Sequence, residues 1–362
     1  MLKSTIVISK ATAETFDEKG YLLVNPDVSA HAKRPGDARR HFENHGVHEG
    51  RQTVTREFIV GAQARGRAKY DRFAPILDAQ SGVGGAFRHL DDQGCFPVSY
   101  GEKPYAITSY ESESANCGLG EFVREVEAHP ERNYLDIGCG LRNQVYENCL
   151  YLEVYPSITA DIVMEPACRY PIASGSLDGV CCLAVLEHVE QPWIVAEEIR
   201  RMLKPGGLAF IDWPFLQPVH GYPSHFYNAT RSGLSALFQD GFEQIVLDTL
   251  SNQTPDHTLN WILREWSAAL TSEPTRAELL GMTVADLMRE APGSPFWRRV
   301  LAATPDKAKM TFACGNTLIA RKSGDTPREA VTDRRPAHTP RPTAADAAWW
   351  NLFRRRNIKA KD

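Results

Sequence analysis

Three clusters of residues have types and spacing suited to chemistry. Asp136-Ile-Gly138-Cys139-Gly140 places two glycines directly after a short apolar run, Tyr134–Ile137. Glycine has no Cβ, so the backbone of such a turn can approach a ligand closely. Glu153 follows 17 residues after Asp136, at the end of the next apolar run. A carboxylate there can accept hydrogen bonds from both hydroxyls of a ribose. His220 and His225 lie in Trp213–Asn228, a stretch dense in His, Tyr and Asn. Imidazole titrates near neutrality and is the usual base for a hydroxyl group, so these two are the base candidates. Tyr222, Tyr227 and Asn228 are placed to orient an acceptor. Each cluster also has a plain structural alternative: a tight turn, a solvated strand end, and a packed polar loop.

The first two clusters point to a nucleoside cofactor without choosing it. A dinucleotide needs Gly-x-Gly-x-x-Gly so that its pyrophosphate rests on a helix N-terminus. Gly140 is followed by Leu141-Arg142-Asn143, so the third glycine is absent, which argues against NAD or FAD.

The surrounding elements must position these groups. Short apolar runs at Tyr134–Ile137, Leu150–Tyr155, Thr159–Met164, Val180–Leu186 and Leu208–Asp212 read as strands. Gln191–Leu203 reads as a helix with Pro192 near its start, where a missing N–H does no harm. Val195, Ile199, Met202 and Leu203 share its apolar face. Gln244–Leu250 and Met310–Ala320 are later strands, with a helical insertion at about 255–305 between them. Alternating strands and helices predict an α/β fold with a parallel sheet and crossover helices, and ligands in such sheets sit beyond the strands' carboxyl ends.

Four regions follow: 1–55, a small helical module with pieces at Phe16–Leu23 and Asp37–His45; 56–130, a helical and loop connector and cap; 131–322, the α/β domain; and 323–362, a tail rich in Pro, Arg, Thr and Ala, expected to be disordered. The tail ends in Trp349-Trp-Asn-Leu-Phe-Arg-Arg-Arg356, whose amphipathic pattern leaves contact with anionic lipid or a protein partner open. With 362 residues, 43% hydrophobic and 24% charged, the chain can build a core, and its net charge of −4 gives no reason to expect nucleic acid. No apolar run approaches the roughly 20 residues needed to span a bilayer, and no secretory signal is evident. Eight scattered cysteines without a Cys-x-x-Cys pair suit a reducing cytoplasm.

Further motifs carry a family resemblance. Tyr170-Pro-Ile-Ala-Ser-Gly-Ser-Leu-Asp178, Val185-Leu-Glu-His-Val189, Glu197–Leu203 and Lys204-Pro-Gly-Gly207 follow Leu135–Gly140 in order. Over about 133–250 this resembles the class I S-adenosylmethionine-dependent methyltransferases. The resemblance implies a Rossmann-like methyltransferase fold, a mostly parallel seven-stranded sheet with an antiparallel last strand, and S-adenosylmethionine as cofactor. It implies that Asp136 and the Gly138–Cys139–Gly140 loop lie by the cofactor's methionine part. Glu153 would bind the ribose, Glu165 and Ala167 would lie beside the adenine, and Ala184 to Leu186 would flank the sulfonium. Two positions depart from the pattern: Arg142 stands where a third glycine is common, and Pro166 where an Asp is. Arg142 reads as an outward surface residue, or one reaching the cofactor carboxylate. Glu187 and His188 read as structural or cofactor-supporting. Pro214-Phe-Leu-Gln-Pro-Val-His-Gly-Tyr-Pro-Ser-His225 resembles a segment of one subgroup; the histidines of this loop point to a hydroxyl acceptor, with His220 or His225 as base, and a nitrogen or carbon acceptor stays open.

Phe16–Val28 followed by His41–Arg51 resembles a small module that accompanies bacterial glycosyltransferases and other glycan-assembly proteins. It turns the expected acceptor toward a sugar or glycan precursor and the expected partner toward a glycan-assembly protein. The alternatives are a small non-sugar acceptor, or a cofactor-binding partner without turnover. His41, His45 and His48 lie at helical spacing, but the module accounts for them and no metal site is assigned.

Overall fold

The computed structural model describes residues 3–78, 87–90, 94–101, 115–116, 118–165, 169–217, 220, 225–269, 289, 291–295, 298 and 315–322. The expectations for Tyr222, Pro166, Ala167, most of the insertion and the tail lie outside these residues.

Among the described residues nine strands form the central sheet: β1 (Phe87–His89), β2 (Val98–Tyr100), β3 (Tyr134–Ile137), β4 (Cys149–Glu153), β5 (Ile162–Val163), β6 (Leu177–Leu183), β7 (Leu203–Pro214), β8 (Phe242–Asp248) and β9 (Gly315–Lys322). Their order is β8-β9-β7-β6-β3-β4-β5-β2-β1. The run from β7 to β2 is parallel, and β9 is antiparallel to both β7 and β8. This is the expected mostly parallel α/β sheet with an antiparallel last strand. The seven-stranded expectation is corrected to nine. Both added strands come from the connector: β2 extends the parallel edge beside β5, and β1 closes it antiparallel.

The alternation of side chains explains the layers. Leu135, Ile137, Leu150, Leu152, Val180, Cys182, Ala209 and Ile211 face one core. Tyr134, Cys149, Tyr151, Cys181 and Phe210 face the other. Successive residues of a strand point to opposite faces, so continuously apolar strands imply cover on both sides. Helix α1 (Ala62–Phe73) contributes Phe73 to the first core, and α2 (Gly120–Ala128) brings Phe122 against Tyr134 and Phe210 in the second. Helix α3 (Pro192–Met202) starts with Pro192 at its first turn and buries Val195, Ile199 and Met202. Helices α4 (Arg231–Leu237) and α5 (Pro255–Ala269) follow β7 and β8.

The expected crossover helix is missing at one decisive place. Residues 138–148 join β3 to β4 with two short strands, Leu141–Arg142 and Gln144–Tyr146. That link is shorter than the dozen or so residues a helical crossover takes. The N-terminal region fills the gap. Its Ser4–Ile6 strand pairs antiparallel with Gln144–Tyr146, and Val7 N–H donates to the Asn143 carbonyl at 2.8 Å. Val7, Ile8, Val54 and Phe58 then join the second core. The N-terminal region therefore contains strands as well as helices: Ile8–Lys10 pairs with Gln52–Val54 around helices Glu18–Val24, Pro26–His31 and Asp37–His41. Among the described residues no helix is long and apolar enough to cross a membrane.

Candidate functional site

The glycine turn after β3 is fixed from three sides. Gly138 and Gly140 have φ of 66° and 55°, a region L side chains rarely adopt. The N–H groups of Gly138 and Cys139 both donate to the Leu152 carbonyl, at 2.8 and 3.1 Å. Ser157 and Thr159 hydroxyls donate to the Gly140 carbonyl, at 2.8 and 2.7 Å. A Cβ on Gly138 would stand 2.1 Å from Val185 Cγ2, so the turn after β3 directly abuts the turn after β6. The Cys139 side chain is fully buried, which leaves its backbone as the part near any ligand.

Glu153, at the end of β4, is 7% exposed. Gly140 N–H donates to Oε1 at 2.8 Å and Val154 N–H to Oε2 at 2.7 Å. The sequence pair thus becomes a geometric pair: the same carboxylate fixes the turn and marks the strand end. Asp136 is placed differently. It points into the second core, 2% exposed, with both oxygens engaged by Arg142 at 2.7 and 3.0 Å. Arg142 is 5% exposed, which corrects the outward surface reading. Asp136 raises the Arg142 guanidinium's affinity for its proton against the penalty of burial. Both side chains are buried and paired with each other. Past Gly140 the chain enters a strand, not a helix, so a pyrophosphate would find no helix N-terminus here. That agrees with the missing third glycine.

After β6, Ala184 takes φ of 50°, the one non-glycine residue with positive φ among the described residues. It is exposed, whereas Leu186 is buried in the first core. The sharp turn leads into a 3₁₀ turn, Leu186–His188, which buries Glu187 completely. Glu187 Oε1 lies 3.7 Å from His188 Nε2 and 3.8 Å from His220 Nε2. Burial pushes the Glu187 carboxyl well above the usual carboxylate range, and Asp212 adds to the effect. Glu165 follows β5 and is exposed.

The loop after β7 returns over this turn. Phe226 N–H donates to the Glu187 carbonyl at 2.5 Å. The His220 and His225 rings meet edge to face at 4.6 Å, and His188 stands 5.2 Å from His220. His225 uses both ring nitrogens: Nδ1 accepts from His220 N–H at 3.1 Å, and Nε2 pairs with Asn228 Oδ1 at 2.8 Å. Of the two base candidates, His220 is therefore the one whose ring faces the buried carboxylate. Tyr227 is exposed, with its hydroxyl donating to the Glu190 carbonyl at 3.1 Å, and Asn228 also holds the Gln217 carbonyl.

Asp212, near the end of β7, has its carboxyl pushed up to about 6 by burial, opposed by the amides of Gln253 and Asn252. A raised carboxyl keeps its proton in the fold after the unfolded chain has lost it. Its contribution to stability is therefore full below the unfolded value of 3.8 and is lost as pH rises to about 6. The loss is on the order of 3 kcal/mol. We predict that Asp212→Asn gains stability over the parent as pH rises from 4 to 7, read from urea midpoints. A gap that does not change with pH would refute this.

Sequence reasoning missed two contributors and left the partners of two others open. Ser157 and Thr159 lack any pattern marking them as turn anchors. Arg142 was signalled by its place in the turn, six residues from Asp136. Glu187 was signalled by its adjacency to His188 directly after a buried strand, but only the fold brings His220 to it.

Residues 115–211 match the family model described as "Methyltransferase domain". An uncharacterized methyltransferase of Mycolicibacterium gilvum is 39% identical over 66 residues, 17% of this chain and 26% of that protein. The chain thus spans about a quarter of the curated relatives it matches. Among solved structures, the YcgJ protein of Bacillus subtilis is 16% identical with a TM-score of 0.35, covering 57% of this chain and 98% of that one. A phosphoethanolamine N-methyltransferase 2 of Haemonchus contortus, determined with S-adenosyl-L-methionine, is 16% identical with a TM-score of 0.30, covering 53% of this chain and 49% of that one.

Proposed function

We propose that this chain is an S-adenosylmethionine-dependent methyltransferase that methylates a hydroxyl of a sugar or glycan precursor. The observation that carries the reading is the Gly138–Gly140 turn, locked to Glu153 and pressed against Val185 within a matched methyltransferase domain.

The residues present fit the cofactor. Gly138 and Gly140 offer a backbone without side chains, Glu153 offers a carboxylate held in one plane by two amides, and Ala184 is small and exposed where the sulfonium would lie. When bound, S-adenosylmethionine supplies a methyl group on a positively charged sulfur, ready for in-line displacement. The protein's part is orientation and proton removal. Glu153 holds the ribose, and Asp136, held by Arg142, fixes the turn beside the cofactor's methionine part. His220 takes the acceptor's hydroxyl proton as the new O–C bond forms and the S–C bond breaks. The imidazolium so formed lies 3.8 Å from Glu187 Oε1. His225 and Asn228 position His220 through its backbone, and Tyr227 lines the acceptor side.

The saccharide acceptor rests on the N-terminal module's resemblance and on the histidine loop. A glycan-assembly protein is the partner this favours. The five free cysteines of the described residues are all buried, as suits thiols in a cytoplasmic protein.

Calorimetry with S-adenosylmethionine and S-adenosylhomocysteine tests the reading. Binding of both is expected, weakened about 10- to 100-fold in Glu153→Ala, in line with the loss of a charge-assisted hydrogen-bond pair. No binding of either at about 1 mM removes the methyltransferase reading. A screen of nucleotide sugars and oligosaccharides for methyl transfer then identifies the acceptor. Transfer only to non-sugar metabolites overturns the saccharide assignment, and binding without transfer to anything tested points to a non-catalytic partner.

A further inference from the structure

We propose that Glu187, His188 and His220 bind one divalent first-row transition ion. One ligand atom from each lies within 4.8 Å of the others. The 3.7 and 3.8 Å separations from Glu187 Oε1 to the two Nε2 atoms are too long for hydrogen bonds. They suit donors that share an ion, because two atoms each about 2.1 Å from one centre stand roughly 3–4 Å apart.

Glu187 is the independent observation. Its side chain is fully buried, and among the described residues neither carboxylate oxygen has a hydrogen-bond partner. A buried carboxylate must be paired, coordinate a metal or hold a proton. The geometry aims its oxygen at two imidazoles, a set that neutral rings complete only through a cation. Asp212 adds further negative charge nearby.

The surroundings hold the set in place. Phe226 and Tyr227 N–H groups donate to the Glu187 carbonyl, tying the loop of His220 to the turn of His188. His225 braces His220 from behind through its backbone N–H, and Trp261 packs 5.0 Å from the His220 ring. With both nitrogens engaged, His225 is a buttress and not a ligand. Two imidazoles and a carboxylate select Zn²⁺, Mn²⁺, Fe²⁺ or Co²⁺ over Ca²⁺ and Mg²⁺. Three protein ligands leave positions open for oxygen donors of a substrate.

Only the consequence for catalysis rests on the proposed function. With an ion in place, His220 Nε2 is a ligand instead of the base, and an acceptor hydroxyl bound to the ion would be acid enough to release its proton to water.

The test is a Co²⁺ titration of the metal-free full-length protein without S-adenosylmethionine, followed by visible absorption and calorimetry. One Co²⁺ per chain is expected, with ligand-field bands of nitrogen coordination and affinity that rises with pH as protons are released. Affinity should fall at least about tenfold in Glu187→Gln and in His188→Ala, and stay unchanged in His41→Ala/His45→Ala. Glu187→Gln removes a buried acid without changing shape; should it fail to fold, His188→Ala decides alone. Absence of bands up to about 1 mM Co²⁺, or parental affinity in His188→Ala, overturns the site. Failure to bind S-adenosylmethionine leaves this result untouched and bears only on the methyltransferase reading.

Discussion

Gly138→Ala is expected to lose roughly 2–5 kcal/mol of stability and to abolish cofactor binding. Two independent costs add. The backbone sits at φ of 66°, where an L side chain costs about 1–2 kcal/mol. The new methyl would stand 2.1 Å from Val185 Cγ2, and overpacking of this kind costs about 1–3 kcal/mol. Gly140 separates the terms. Its φ is 55°, but a Cβ there meets nothing within 4 Å. Gly140→Ala should therefore show only the backbone cost, about 1–2 kcal/mol. Val185→Ala in the Gly138→Ala background should recover much of the packing cost and none of the backbone cost. Urea midpoints of the four proteins read this directly. Equal losses at 138 and 140 would show that contact with Val185 plays no part.

Arg142→Met is expected to cost about 3–5 kcal/mol, because it strands the Asp136 carboxylate in the second core. Asp136 is 2% exposed and Arg142 5%, with two charge-assisted hydrogen bonds between them. Removing one partner leaves an uncompensated buried charge, whereas removing both restores an apolar core. Asp136→Leu/Arg142→Met should thus be within about 2 kcal/mol of the parent, giving a large coupling in the double-mutant cycle. Additive single-site losses would mean that the pair is not the unit of stability. The pair anchors residues 138–148, so the single variants should also bind cofactor more weakly than the double.

Much of the sheet was legible because its strands are buried on both faces, and continuous apolar runs mark them. Tyr134–Ile137 is a strand with the bounds its composition predicts, and Pro192 with the apolar face of Val195, Ile199 and Met202 predicts α3. The strands β1 and β2 were not legible. They are three residues each; β2 gains its strand character from β5, which lies far along the chain, and β1 from β2. The missing crossover helix was hidden for a related reason. Residues 141–146 look like an ordinary connection until Ser4–Ile6 arrives from the N-terminus to pair with them.

The site divides along the same line. The sequence by itself determined a turn without side chains at 138 and 140, an acid at the next strand end, no third glycine for a pyrophosphate, and a histidine loop after the fifth strand of the expected set. These depend on residue type and local spacing, which act over a few bonds. Only the tertiary structure decided that Arg142 turns inward to Asp136, that His225 is occupied by His220 and Asn228, and that Glu187 is buried facing two imidazoles. Those outcomes depend on which distant residues share a low-dielectric space, and burial decides there which charges must find a partner.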